Sequence, residues 1–191
     1  MHSILRLKKG KEKAVRQQHP WVFSGALEPS KQTLKNGEIV ALTDYQGQFL
    51  AYGFYNDQSR VAIRLLEWNG ESVIDEFWWR QRIQRAVQFR QSIFQEAQTN
   101  TYRLIFSEAD YLPGLIVDRF ADYLSVQILS SGMERLKPII LDELNQLLQP
   151  KGIFDRSDDA SRAHEGMDES SGITLMGQAP PDFVTVMEHG I

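Results

Sequence analysis

The chain contains no cysteine. Disulfides, thiolate metal sites and a cysteine nucleophile are therefore excluded within these 191 residues. No apolar run approaches the roughly 18 residues that cross a bilayer, so no membrane partner is expected. Glycine occurs thirteen times, yet no two glycines are separated by a single residue. A cofactor-cradling Gly-x-Gly loop and a P-loop are both missing. The four histidines, His2, His19, His164 and His189, show no paired ligand spacing, and no metal site is expected. The opening residues have charge directly after a short apolar piece and no cleavage pattern, unlike a signal peptide. Together these absences make a cytoplasmic location the default and leave no catalytic constellation.

What is present is an ordinary globular composition, 42% hydrophobic and 24% charged, enough for one large domain or two small ones. The charge is unevenly placed. Net charge is −4 overall, but residues 1–70 hold ten Lys/Arg against six Asp/Glu. Any polyanion partner is thus expected to meet the first segment.

That segment reads as strands. Residues 4–7 alternate weakly, and a short helix is expected over 11–18, ended by Pro20, which pushes its predecessor out of helical space. Strands follow at 21–23, 38–43, 49–55 and 60–66, with turns at 44–47 and 56–57. Two adjacent hairpins plus earlier strands in 70 residues predict a small closed or nearly closed barrel. Lys8, Lys9, Lys11, Lys13 and Arg16 cluster early, followed at once by His19, Trp21 and Phe23. Cations attract phosphate, and aromatic or imidazole rings stack on unpaired bases. Arg60 and Arg64 share a face of the last strand. The competing reading makes the lysines a solvated surface and buries Trp21 and Phe23 as core.

Residues 71–191 alternate helix and strand signals. A helix is expected over 75–98, with Trp79, Ile83, Ala86, Phe89, Ile93 and Ala97 on one face and Arg90 inside that stripe. Strands are expected at 102–106, 115–117, 123–129, 152–155 and 183–187. A second helix is expected over 137–148, with Pro138 in its first turn. Residues 156–171 are strongly charged and read as a long loop. The order predicts an α+β domain, helices on a small mixed sheet, with a boundary near residue 70.

The segment SEADYLPGLIVDRF at 107–120 combines a Pro113–Gly114 turn, a buried strand and a charged end. Together with HPWVFSGA at 19–26 and YRLI at 102–105, it resembles a family of class I S-adenosylmethionine (SAM)-dependent enzymes. These methylate cytosine-5 of large-subunit ribosomal RNA and carry an N-terminal PUA domain. Phe106, Ser107 and Tyr111 depart from the commoner family pattern, which places small residues around the acidic pair. The resemblance implies a PUA-like RNA-binding domain over 1–70 and a central α+β domain over 71–191. It implies a Rossmann-like catalytic domain beyond residue 191, which would bind SAM and carry the catalytic cysteine.

On this reading the chain is the RNA-binding part of such an enzyme and inactive alone. It holds structured ribosomal RNA through Lys8, Lys9, Lys11, Lys13, Arg16, His19, Trp21 and Arg60, and binds no cofactor itself. The alternative is a stand-alone RNA-binding adapter without enzymatic activity. The oligomeric state is open, a homodimer included.

Overall fold

A computed structural model describes residues 2–95 and 97–191. Met1 of the opening segment and Glu96 of the expected long helix lie outside the described residues.

The chain forms two mixed five-stranded sheets and, among the described residues, four α-helices. The first sheet contains β1 (Ser3–Arg6), β2 (Trp21–Phe23), β3 (Ile39–Thr43), β4 (Phe49–Tyr55) and β5 (Val61–Glu67). Their spatial order is β1-β3-β4-β5-β2, with β1 parallel to β3. Helix α1 (Lys13–Arg16) lies between β1 and β2 in the chain and is shorter than expected.

The expected barrel does not close. β2 ends after three residues in a 3-10 turn at Ser24–Ala26, so it cannot form a ladder with β1. Among the described residues a single bridge, Leu7 to Leu27, joins the two edges. Its hydrogen bonds run from Lys8 N–H to Ala26 O and from Glu28 N–H to Arg6 O, both 2.9 Å.

The inner face of this sheet buries Val22, Val40, Leu42, Ile63 and Leu65. Its outer face is not left to solvent. Phe54 and Leu66 belong to the core of the second half of the chain. This double coverage explains why Ala62, Ile63, Leu65 and Leu66 of β5 are all buried, where a one-sided strand would alternate.

The second sheet contains β6 (Thr101–Phe106), β7 (Leu115–Phe120), β8 (Tyr123–Ile128), β9 (Gly152–Asp155) and β10 (Thr174–Gly177), in the order β10-β9-β8-β7-β6. β8 and β9 are parallel neighbours joined through α3 (Ser131–Leu148). α2 (Glu76–Ile93) and α3 supply Trp79, Ile83, Met133, Ile140 and Leu144 to its core.

α2 starts where expected, because the Asp75 carboxylate accepts from Trp78 N–H as an N-cap. It stops at Ile93, short of the expected 98. Phe94 leaves the helix and stacks on Tyr102 of β6, ring centroids 4.5 Å apart. Trp79, Ile83 and Ala86 are buried as the periodicity predicts, whereas Phe89 and Ile93 are exposed and Ala97 lies past the helix.

Arg90 has a partner rather than a solvent-directed head. Its Nη1 and Nη2 both donate to the Asp110 carboxylate, at 2.5 and 2.8 Å, and Asp110 also accepts from Phe106 N–H. The acidic residue of the 107–120 motif thus ties its loop to α2. Asp110→Asn should cost about 2 kcal/mol, since it leaves a mostly buried guanidinium without its counter-charge. Urea unfolding of the variant checks this, and a destabilisation below about 0.5 kcal/mol would show the pair to be dispensable.

α3 begins at Ser131, six residues before the expected start. Ser130 caps Met133 N–H, and the first turn is held by packing. Gly132 lies so close to the Phe54 ring that a Cβ would sit 2.2 Å from it. Pro138 is therefore an interior residue of α3.

The polar stretch 156–171 is not a plain loop. It contains α4 (Asp159–His164) and the buried Arg162, which donates to Ile128 O at 2.9 Å and Glu134 at 2.8 Å. Buried charge pairs, invisible to a hydrophobicity reading, order it. Residues 183–187 form no strand. Met187 exchanges hydrogen bonds with Asn100, ahead of β6, without extending into a ladder. The last strand is β10, an antiparallel neighbour of β9. Among the described residues, no helix is long and apolar enough to cross a membrane.

Candidate nucleic-acid interface

β2 is an edge strand whose side chains alternate. It pairs Trp21 with Arg64 and Val22 with Ile63, so only Val22 shares the inward face of the first core. Trp21 and Phe23 point outward, 38% and 52% exposed. Exposure of both rings decides against reading them as core.

Two of the expected cations, Lys8 and Arg60, lie beside this strand. Lys8 Nζ donates to Gly25 O at 2.9 Å, and Ser24 N–H donates to Arg60 O at 3.1 Å. Lys8, Phe23 and Arg60 thus meet at one end of β2. At the other end His19 Nδ1 accepts from Trp21 N–H at 3.2 Å, and the two rings meet edge to face. Lys9 and Arg16 turn elsewhere. Lys9 Nζ stands 5.7 Å from the centre of the Tyr45 ring, and Arg16 pairs with buried Asp44 at 2.8 Å, both in the β3–β4 turn. Lys11 and Lys13 are exposed at the start of α1. Lys8, Lys9, Lys11, Lys13 and Arg60 take part in no ion pair among the described residues, so their charge is available to a polyanion.

Arg64 behaves differently from Arg60. Its Nη1 donates to Glu108 at 3.2 Å and its Nη2 to Glu165 at 2.8 Å. Glu165 also accepts from Asn56 Nδ2 at 2.9 Å. Glu108 takes a second bond, from Trp21 Nε1–H at 2.8 Å. One network therefore fixes the Trp21 ring and joins the first sheet to the 107–120 motif and the end of α4. The sequence signal was the acidic pair of that motif. Its partners Arg64 and Arg90, 44 and 20 residues away, could not be assigned without the fold.

Burial pushes the Glu108 carboxyl up, but the Ser107 hydroxyl, the Trp21 indole and Arg64 outweigh it and hold it below the ordinary value. A depressed carboxyl stabilises the fold fully above its ordinary range and loses that contribution as pH falls through the lowered value. Glu108→Gln should therefore be less stable than the parent at pH 7, with the gap narrowing as pH drops below about 4. A constant gap across that window in thermal melts would show that the Glu108 charge contributes nothing.

Residues 5–68 match the family model of a PUA-like domain. Similarity extends past this PUA-like domain. The chain is 37% identical over 187 residues to ribosomal RNA large subunit methyltransferase I of Enterobacter sp. (strain 638) and, equally, to that of Escherichia coli (strain SMS-3-5 / SECEC). Each alignment covers 98% of this chain and 47% of the relative, so the chain spans about half the length of the curated relatives it matches.

Among solved structures, the fold matches a Streptococcus mutans protein assigned as a SAM-dependent methyltransferase, with a TM-score of 0.78 and 17% identity. That match covers 99% of this chain and 47% of the other. It also matches SMU.776, assigned as a methyltransferase and solved with SAH, with a TM-score of 0.79 and 18% identity, covering 99% and 46%.

The turn between the parallel strands β8 and β9 has no room for SAM. The strand–helix turn most suited to a cofactor is that between the parallel strands, at the start of α3. Ser130, Ser131 and Met133 there are buried, Ser130 donates to Pro113 O at 2.8 Å, and the Phe54 ring covers Gly132. Among the described residues, no group of three or more His, Cys, Asp or Glu side chains is arranged to hold a metal ion.

Proposed function

We propose that this chain is the RNA-binding part of a SAM-dependent methyltransferase that modifies cytosine-5 in large-subunit ribosomal RNA in the cytoplasm. The observation that carries the reading is the PUA-like match together with 37% identity across 98% of the chain. The outward aromatic strand and its unpaired cations support it. In this proposal residues 1–70 hold structured RNA through Lys8, Lys9, Lys11, Lys13, Arg16, His19, Trp21 and Arg60. Residues 71–191 link that hold to the methyl-transferring part, which corresponds to the portion of the relatives that this chain does not cover.

Titration of the 191-residue chain with a structured RNA at several salt concentrations tests the proposal. Affinity should fall linearly with salt on a double-logarithmic plot, as counterions are released from the phosphates. Absence of binding even at low salt overturns it. Calorimetric titration with SAM should show no micromolar binding, because the α3 turn is already filled. Micromolar binding would place a cofactor site within this chain.

A further inference from the structure

Resting on the RNA-binding reading above, the geometry points to a pocket for a single unpaired base, built jointly by the PUA-like domain and the second half of the chain. A cleft of about 340 Å³ opens where the two meet. Trp21 and Arg64 line it from the first sheet; Glu108, Leu129 and His164 line it from the other side. The volume lies at the lower end of the range for small-ligand sites, which suits one base rather than a longer segment.

The lining chemistry selects a base over a phosphate. Arg64 is the one arginine among the described residues that line the cleft, and its charge is already shared between Glu108 and Glu165. With two carboxylates to one guanidinium, the cleft repels a phosphate but tolerates a neutral aromatic ring. The Trp21 ring is held by its bond to Glu108, so it need not be ordered at the moment of stacking, yet part of it remains exposed. His164, exposed on α4, provides a second ring on the far wall. Leu129 is an apolar lining residue. Phosphates would then stay outside on Lys8 and Arg60, along the same strand that carries Trp21. The cleft exists only when both parts of the chain are in place, so RNA bound there would report on their docking.

The test uses the full chain and two RNAs, a hairpin with 2-aminopurine in its loop and a blunt duplex of the same stem. Binding should quench the 2-aminopurine of the hairpin. Trp21→Ala and His164→Ala should each weaken hairpin binding roughly five- to tenfold, well beyond any loss of duplex binding, as removal of one stacking partner requires. Trp21→Phe, which keeps a ring, should retain most of the affinity. Where Trp21→Ala fails to fold, His164→Ala, at an exposed position, decides. If binding stays salt-dependent but the variants weaken neither RNA, or both alike, the base pocket is wrong and the RNA-binding reading stands. If neither RNA binds in a salt-dependent way, both fall.

Discussion

Replacing Phe54 with alanine should destabilise the whole chain by about 3–5 kcal/mol, the range for emptying a buried aromatic site. Phe54 belongs to β4 of the PUA-like domain but is only 3% exposed, within the core of the second half. Its ring stacks on Trp79 of α2, centroids 5.4 Å apart and planes 6° from parallel. On another side it covers Gly132 of α3. The vacated space would be walled by a helix backbone and a rigid indole, neither of which can collapse freely, so the cost should lie toward the upper end of the range. Because the Phe54 ring bridges both halves, one transition should shift, seen alike by Trp fluorescence and far-ultraviolet circular dichroism in urea. A destabilisation below about 1 kcal/mol, or separation into two transitions with only the first shifted, would mean that the outer face of the first sheet does not depend on α2 and α3.

Changing Lys8, Lys9 and Lys11 together to alanine should weaken binding to unrelated structured RNAs, on the order of tenfold or more at low salt. The slope of log affinity against log salt should flatten by roughly one unit for each phosphate that is no longer neutralised. The expectation rests on exposure and on the lack of ion pairs at these lysines among the described residues. The three need not contribute equally. Lys8 stands beside β2 through Gly25, whereas Lys9 leans over Tyr45, so Lys8→Ala alone should carry the largest share. Lys151 offers a control, since it already pairs with Asp122 at 2.7 Å, and its replacement should leave the slope unchanged. A triple variant that binds like the parent would assign the lysines to solvation alone and move the RNA face elsewhere.

Most of the strands and one helix start were legible along the chain. β4 and β9 fall on their expected residues, because short apolar runs bounded by turn residues are a local signal. The helix expected from residue 75 begins at Glu76, with Asp75 as its cap. The basic cluster, the Pro113–Gly114 turn and the likeness of residues 107–120 to one enzyme family likewise needed no coordinates.

How those pieces use one another came from the fold alone. Arg60 and Arg64 look equivalent in sequence, on one face of an expected strand, yet Arg60 falls just before β5 and only Arg64 is bound between two glutamates distant in the chain. Trp21 and Phe23 fit either core or surface until pairing with β5 put Val22 inward. Pro138 resembled a helix start, but Ser130 and the packing of Gly132 on Phe54 extended α3 well ahead of it. The charged run 156–171 concealed α4, because its order comes from Arg162 buried against Ile128 and Glu134 rather than from apolar periodicity. Local propensity and periodicity are written along the chain. The partner of a buried charge, and the second cover on a sheet face, join residues far apart in sequence, and only the folded chain selects them.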